Sequence, residues 1–491
     1  LAIVNMFLWS MPAHAFFAAI GAFLGGAGIG AVIKSVIINL VVSAVTNKIF
    51  GKKSQKGKQA RGASGVLVNK QSSNEPVDIV YGLRRSGGVR VFIGTSDGAG
   101  AEGTKYLNMA LAMCEGEMGD IKKVYFGQEL VWDADGSGTT SGDATNGFEL
   151  LNYEDSKFTY DDNGERKLKP SGADASKIVY HPGTTTQAAD ATLVASVEET
   201  WDSAYQLKGV AYLALKLRAN AEVYEGGLPT FTVVLEGKKI RDVDNLSAAK
   251  TASSDQNPAD VLHYYLTNST YCKGLEDTDI DIASFQQAKT DCTGKYNING
   301  IIDPEDRIID NIEKILNECN GQLVYSNGKY KLKIKKQNET ATHTFTKENI
   351  VSEVSVALTD IKNRYNKINI DFANGDDTVL FNDDVVIREN ATYKTEDGNK
   401  TLEQTIEMPL TTSETEVETM GDFLLDQSRH GMTVSFAVAH TQFGVEAGDI
   451  VNITLDEYGF TNKKFRVLTT ELTTENTINI IAQEYVSSIH I

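Results

Sequence analysis

The chain has 491 residues and a formal charge of −19, with 23% charged and 41% hydrophobic residues. This length is enough for about three packed domains, and the composition excludes a peptide, a disordered tail and a small disulfide-held scaffold. The charge is uneven: residues 1–61 contain seven cations and no Asp or Glu, so the other 430 residues carry a net charge of −26. An apolar leader with a basic end is therefore joined to an acidic body, and we expect the two parts to meet different surroundings.

The leader comes first. Residues 1–33 carry no formal charge, and the apolar run Ala13–Ile33 has 21 residues, about the length of a helix that spans a bilayer. A second apolar run, Ser35–Asn47, and the cationic segment Gly51–Lys58 follow, as is typical where a buried segment returns to water. The pattern predicts a membrane-spanning or membrane-seeking segment, whose candidate residues are Phe16, Phe17, Ile20, Gly21, Gly25, Gly26, Gly30 and Ile33.

Three other interpretations of the leader stay open. Ala13-His14-Ala15 fits the cleavage site of a signal peptide, although no positive segment precedes it and the apolar run continues beyond it. The spacing of four between Gly21 and Gly25, and between Gly26 and Gly30, would let leaders pack closely against one another. A buried core helix in a water-soluble assembly would also explain the apolar composition.

Strand and turn patterns fill residues 62–245, which we predict to form a β-rich domain. The predicted strands are Val77–Tyr81, Val89–Ile93, Tyr106–Cys114, a hairpin over Val124–Trp132 with its turn at Gly127-Gln128, Gly209–Leu217 and Phe231–Gly237. Residues 133–200 are rich in Asp, Gly, Ser, Thr and Ala, which predicts an insertion or surface elaboration in this domain.

Residues 246–340 change to a helical pattern and predict an α+β domain. Asn257 as N-cap and Pro258 in the first turn begin one helix. Asp303 as N-cap and Pro304 begin a second helix, with an apolar stripe of Ile308, Ile309, Ile312, Ile315, Leu316 and Cys319 before Asn320-Gly321 ends it. An Asn327-Gly328 turn, followed by lysines that alternate with Tyr330, Leu332 and Ile334, predicts a hairpin.

Residues 341–491 are mostly strand-like and predict a β-barrel-like domain with one helix. The helix is expected from about Ser413 to His430, with Val417, Met420, Leu424 and Leu425 facing inward. The predicted strands are Tyr365–Phe372, Val434–Val438, Ile450–Leu455 and Ile478–Ile481.

The chain lacks the usual signatures of catalysis. Its four cysteines are too few for a disulfide framework and lack the paired spacing of a zinc site, so we predict reduced, mostly buried thiols, although a Cys272–Cys292 bridge stays possible on spacing. The seven histidines never fall at metal-ligand spacing. The sequence has no GxSxG elbow, HExxH, Walker loop or GxGxxG after a strand. We therefore predict no catalytic, metal-binding or cofactor-binding residues, and a protein that is not an enzyme.

The order of several motifs resembles that of one protein family. Glu75–Gly88, which reads EPVDIVYGLRRSGG, is similar to a signature of siphophage tail-tip assembly proteins of the phage lambda type, in which it follows an apolar, glycine-rich stretch. From about residue 70 to 491 the chain resembles the central tail hub, or tip attachment protein, of such phages. The resemblance rests on Leu111–Gly119, Tyr205–Tyr212, Leu228–Val233, Asn257–Asp260, Tyr271–Leu275, Asp281–Phe285, Cys292, the 302–332 helix and hairpin, Asn363–Asn366, Gly448–Val451 and Phe465–Val467.

The resemblance implies a mainly β protein with α+β insertions, in which tail-tube-like β-barrel modules follow an apolar helical leader. It implies a homotrimer that closes the distal end of a long non-contractile tail, with the tail-tube or distal tail protein, the tape measure protein and central fibre or receptor-binding proteins as partners. DNA would pass without specific binding, and residues 1–47 would contact the host membrane at infection. Because the sequence ends near Ile491 without long fibre domains, we do not expect it to recognise a receptor itself. A non-viral, membrane-anchored, β-rich surface or secretion protein is the alternative. A carbohydrate-active enzyme or a lectin is a third, which would need an aromatic-lined cleft.

Overall fold

The computed structural model describes residues 76–97, 105–134, 148–149, 176–197, 201–218, 230–358, 363–376 and 381–490. The leader, with every candidate residue from Phe16 to Ile33, lies outside these ranges. Within them, no helix combines the length and the apolar character that crossing a bilayer requires.

The described residues form 22 strands and six α-helices. The strands are β1 (Ile79–Tyr81), β2 (Leu83–Ser86), β3 (Val89–Asp97), β4 (Lys105–Glu115), β5 (Ile121–Phe126), β6 (Glu129–Asp133), β7 (Phe148–Glu149), β8 (Lys177–His181), β9 (Val210–Arg218), β10 (Phe231–Glu236), β11 (Gly300–Ile302), β12 (Gly321–Ser326), β13 (Lys329–Ile334), β14 (His343–Thr346), β15 (Ser355–Ala357), β16 (Lys367–Ala373), β17 (Asp383–Glu389), β18 (Glu403–Met408), β19 (Thr433–Ala439), β20 (Ile450–Leu455), β21 (Phe460–Leu472) and β22 (Thr477–Glu484). The helices are α1 (Ala191–Val197), α2 (Pro258–Thr267), α3 (Ile282–Cys292), α4 (Ile308–Glu318), α5 (Ala391–Glu396) and α6 (Glu414–Gln427).

Strands β2–β10 and helix α1 make up a first β module. A four-stranded sheet in the order β2-β10-β5-β6 and a five-stranded sheet in the order β3-β4-β9-β8-β7 enclose one apolar core. Alternate residues of the central strands, such as Leu213, Leu215, Val233 and Leu235, point into this core. Strand β8 and helix α1 lie within the predicted 133–200 insertion, yet Ile178 and Leu193 are fully buried. This part of the predicted insertion is therefore built into the module.

A central unit follows, formed by β1, β11–β13, β16–β18, α2–α4 and α6. Its three helices α2–α4 and the layer of α6 on the β17-β16-β18 sheet share one core, which includes Val261, Phe285, Ile315, Ile370 and Leu424. The Asn257 side chain caps α2 as predicted, accepting a hydrogen bond from the Ala259 amide. The Ser413 side chain caps α6 by accepting from the Glu416 amide.

Helix α4 corrects two predictions. It begins at Ile308 rather than at Pro304, because the Asp303 carboxylate accepts a hydrogen bond from the Glu305 amide and residues 303–306 form a turn. The predicted stripe includes Ile309, but this side chain is 48% exposed. With the later start, Ile312, Ile315 and Cys319 form the buried face.

Strands β14, β15 and β19–β22 make up a second β module. They form one six-stranded sheet in the order β14-β20-β21-β22-β19-β15, and residues such as Phe345, Phe436, Ile453 and Phe465 fill the core on one face. The prediction of a mainly β protein is confirmed. The sheet does not close into a barrel, because among the described strands β14 and β15 are its two edges and do not pair with each other. The domain boundaries at 61, 245 and 340 remain predictions.

Candidate functional site: two joints around the central unit

Each β module meets the central unit at a distinct joint, and the first joint is formed by the motif around Tyr81-Gly82. The chain from β1 to β3 passes through three sheets in succession. In β1, Ile79 pairs with Ile302 of the central unit. In β2, Arg85 pairs with Val234 of β10, and in β3, Ile93 pairs with Met109 of β4. One continuous stretch of backbone therefore sets the register between the first β module and the central unit.

Gly82 marks the bend between β1 and β2. Its φ of +63° lies in the left-handed region, which favours glycine. Its amide donates to Gln256 Oε1 at 3.1 Å, and the next amide, of Leu83, donates to Asn299 Oδ1 at 3.1 Å. A Cβ at this position would lie 1.9 Å from Asn299 Oδ1 and 2.3 Å from a backbone oxygen. Both the conformation and the close contact therefore require glycine.

A buried polar group lies beside the bend. The Tyr81 hydroxyl is 3.3 Å from the hydroxyl of Tyr271, whose ring lies 4.9 Å from the Lys238 ammonium. Lys238 also forms an ion pair with Glu115 of the first β module. Burial raises the pKa of Tyr81 well above its ordinary value. The hydroxyls therefore keep their protons and act as structural contacts rather than as acid–base groups.

The two arginines of the motif are buried in the first joint. Arg85 donates from Nε to Thr232 Oγ1 at 2.8 Å and stacks 4.4 Å above the Tyr125 ring. Arg84 is fully buried, and burial lowers its pKa to about 10, an effect that the carboxylates of Asp383 and Glu318 oppose. Arg85 thus ties β2 to β5 and β10 within the first β module, whereas the electrostatic partners of Arg84 belong to the central unit.

Glu318, at the end of α4, is the most perturbed carboxyl in this joint. Its side chain is 2% exposed, and Oε1 accepts a hydrogen bond from the Leu410 amide at 2.9 Å. Burial raises its pKa to about 8, and Arg84 opposes the shift. The carboxyl is therefore mostly protonated at neutral pH.

Phe381 adds an apolar contact to the first joint. Its ring, 5% exposed, packs with Tyr125 and Val234 on the outer face of the four-stranded sheet. Its φ of +61° is unusual for a bulky residue, and its amide donates to the Asn374 carbonyl at 2.9 Å. This turn before β17 therefore acts as a wedge between the central unit and the first β module.

The second joint consists mainly of ion pairs. Lys331 of β13 binds both carboxylate oxygens of Glu446 at 2.8 Å, and Lys333 binds Asp449 Oδ1 at 2.7 Å. The Ser326 hydroxyl also donates to Glu446 at 2.8 Å. These acceptors lie in the loop before β20, so the lysine-bearing face of the hairpin docks on the second β module. In the sequence, the alternation of these lysines indicates only a hairpin. Glu446 and Asp449 are spaced three apart, but nothing in the sequence near them indicates that they contact β13.

The other groups considered in the sequence do not form a reactive centre within the described ranges. No cluster of three or more His, Cys, Asp or Glu side chains could hold a metal ion there. His181 contacts Asp190 at 2.9 Å, and its ring stacks on Tyr212. All four cysteines are free thiols, and Cys292 interacts with Cys319 rather than with Cys272.

Comparisons with known proteins give two informative matches. No family model matches the chain. The baseplate hub protein pb3 of Escherichia phage T5 is 22% identical over 319 residues, which is 58% of this chain and 33% of pb3. The chain thus spans about a third of the length of that relative.

Among solved structures, a chain from the virion of a native gene transfer agent particle matches with a TM-score of 0.63 at 14% identity, over 98% of both chains. This match shows a common fold. A 43 kDa tail protein of prophage MuSo2 from Shewanella oneidensis also matches, over 84% of this chain and 99% of that one, but its 11% identity and TM-score of 0.29 carry no argument.

The two matched proteins are of the same general type, since one is the baseplate hub of a phage and the other is part of a virion. They confirm the prediction of a structural protein rather than an enzyme. The narrower resemblance to hubs of the phage lambda type remains a prediction. The chain is similar in sequence to a phage baseplate hub protein and shares its fold with a component of a virion.

Proposed function

We propose that this protein forms the trimeric hub at the distal end of a long non-contractile phage tail. There it would join the hexameric tail tube to threefold tip structures, close the DNA channel and open it at infection. The sequence match to a baseplate hub carries the proposal. The presence of two β modules on one central unit supports it, because three copies would offer six modules to a hexameric tube.

The proposed partners follow from that position. They are two further copies of this chain, the tail-tube or distal tail protein, the tape measure protein, and central fibre or receptor-binding proteins. DNA would pass through without specific binding, because affinity for phosphates comes from cations and the chain outside residues 1–61 has a net charge of −26. An acidic channel wall would repel the passing DNA.

Electron microscopy of the parent particle, with a tag on this chain, tests the proposal. We expect the tag on a threefold ring at the distal end of the tail tube, and the purified full chain should form trimers. A tag along the tube, or a chain found only as a membrane-bound monomer, would contradict the hub. The monomer would favour the membrane-anchored surface or secretion protein instead.

The leader has a proposed role of its own. Three leaders would pack in or near the channel as part of a plug, and residues 1–47 would contact the host membrane when the tip opens. Deleting residues 1–47 should leave tails assembled but block DNA delivery. Normal infectivity of particles that carry this deletion would contradict the proposed role of the leader. The matched variant replaces four glycines with leucine: Gly21→Leu, Gly25→Leu, Gly26→Leu and Gly30→Leu. These changes keep the leader apolar but prevent close packing between leader helices. Premature release of DNA from particles with this variant would indicate that the leaders form a plug.

A further inference from the structure

The β17-β16-β18 sheet of the central unit exposes one of its two faces. Helix α6 packs on the inner face, where Ile370 of β16 is fully buried. Side chains alternate along a strand, so Val385 and Ile387 of β17 lie on the opposite, outer face, where they are 50% and 58% exposed. Strand β17 is also an edge of this sheet. Aliphatic side chains exposed on an edge strand favour contact with another segment.

The outer face is also acidic. Asp371 of β16 lies opposite Val385 on one side and Glu407 on the other. Five carboxylates share the outer positions of the three strands: Asp371, Asp383, Glu389, Glu403 and Glu407. Lys367 pairs with Glu403 at 3.2 Å, and Lys394 of α5 pairs with Glu389. Carboxylates therefore outnumber cations on this face, which attracts positively charged groups.

The chain contains a segment of matching character. Residues 52–70 include six cations and no Asp or Glu, and residues 66–68 are an apolar run of two valines and a leucine. The segment complements the outer face in both properties. Its aliphatic side chains can cover Val385 and Ile387, and its cations can pair with the carboxylates.

The segment is within reach of this face. The described chain begins at residue 76, shortly before β1, which pairs with β11. The amide of Asn299, next to β11, donates to the carbonyl of Leu410, just after β18, at 2.6 Å. Strand β17 begins at that same end of the sheet, because β16 runs antiparallel to β17 and parallel to β18.

The length of chain is sufficient as well. The stretch from residue 68 to residue 76 extends up to about 28 Å. The seven residues of β17 are about 24 Å long. Residues 66–68 can therefore reach any position along β17 from the end of the sheet that adjoins β11.

We propose that residues 52–70 dock on the outer face of the β17-β16-β18 sheet of the same chain. Residues 66–68 cover Val385 and Ile387, and the cations pair with carboxylates such as Glu407. The contact attaches the basic end of the leader to the central unit. This inference does not depend on the hub function.

Other occupants fit the outer face less well. A nucleic acid or an anionic membrane would be repelled by its carboxylates. The same sheet of a second copy would bring like charges together. Residues 52–70 avoid both costs and are already tethered beside the sheet, which raises their local concentration.

Zero-length cross-linking of the full chain tests the contact directly. A carbodiimide joins a lysine to a carboxylate only where the two touch, so peptides from residues 52–58 should be linked to peptides with Glu403 or Glu407. In an equal mixture of chains with light and heavy isotopes, we expect links within one chain only. Links between two copies, or links from residues 52–58 only to other parts of the molecule, would overturn the proposal.

Trypsin cleavage gives an independent measurement, because trypsin cuts after Lys and Arg. Ile387→Lys places a cation on the outer face and should speed cleavage within residues 52–61 by about fivefold, the equivalent of one exposed ion pair. High salt should also speed this cleavage in the wild type, since exposed ion pairs are screened. If Ile387→Lys does not fold, Glu407→Lys replaces it.

Leu472→Lys is the matched control, because it makes the same kind of change at a side chain that is 60% exposed on the second β module. It should leave the cleavage rate as in the wild type. Equal rates in the wild type, Ile387→Lys and Leu472→Lys would overturn the docking. A change in oligomeric state of Ile387→Lys without faster cleavage would do the same, and would indicate that a second copy covers the face.

Discussion

The two joints hold their β modules by different means. At the first joint, one strand passes between sheets, and the side chains that surround it, such as Arg84 and Glu318, are at most 2% exposed. At the second joint, lysines of β13 reach an acidic loop, and Lys331 and Glu446 are each 19% exposed. Backbone register therefore fixes the position of the first β module, whereas the contacts of β13 with the second β module are mainly ion pairs. We expect a rigid first joint and a second joint that responds to salt.

The two joints also depend on pH in opposite directions. Because the pKa of Glu318 is higher in the folded than in the unfolded protein, its contribution to the unfolding free energy is complete below pH 4.5. This contribution is lost as the pH rises towards 8. Burial raises the pKa of Glu446, but hydrogen bonds from Lys331 and Ser326 outweigh it, so the pKa is lowered overall. Its contribution is present at neutral pH and is lost in acid. Acid should therefore strengthen the first joint and weaken the second.

The largest effect is expected at the bend of the first joint. Gly82→Ala should cost more than about 4 kcal/mol of unfolding free energy, because the new Cβ meets Asn299 and a backbone oxygen in a left-handed conformation. Urea unfolding measures the loss. Gly127→Ala is the control: its φ is +61° but no atom lies within 4 Å of the added Cβ, so it should cost only about 1 kcal/mol. Equal losses would show that the close contact at Gly82 is unimportant.

A second prediction tests the buried carboxyl. Glu318→Gln keeps the acceptor for the Leu410 amide but has no charge to bury, so it should stabilise the protein by about 3 kcal/mol at pH 9. The gain should shrink as the pH falls towards 5. The measurement is the unfolding free energy over this pH range, with the exposed Glu348→Gln as the control. A gain that does not depend on pH would contradict the buried, titrating carboxyl.

Removing the Phe381 ring should lower the unfolding free energy slightly less than the substitution at Gly82. Phe381→Ala should cost about 3 kcal/mol, because it empties a buried site between the central unit and the first β module. Phe443→Ala, which removes a ring that is 67% exposed on the second β module, should change the unfolding free energy little. If both variants unfold at the same urea concentration, Phe381 does not hold the joint.

The smallest effect is expected at the second joint. Glu446→Gln should cost about 1 kcal/mol in low salt and less in high salt, because a partly exposed ion pair is screened. Urea unfolding at two ionic strengths measures the change. The cost of Gly82→Ala should not vary with salt. A loss at Glu446 that persists in high salt would remove the distinction between the joints.

Local signals predicted the elements well, and long-range packing explains the failures. Asn257 and Ser413 cap helices, and Asn327-Gly328 turns a hairpin, because each acts within a few residues of itself. No such signal exists for the approach of Arg84 to Glu318, or for the Phe381 wedge. The leader residues remain a prediction, since they lie outside the described part of the chain.

The order of the elements in the second β module has a consequence for synthesis. Strands β14 and β15 precede β16–α6, and their sheet partners β19–β22 follow. Roughly 75 residues separate the end of β15 from β19, which takes about 4–15 s to translate. The first strands must wait on the ribosome until the inserted sheet and helix have emerged. The central unit can therefore fold first and serve as the template on which the last sheet forms.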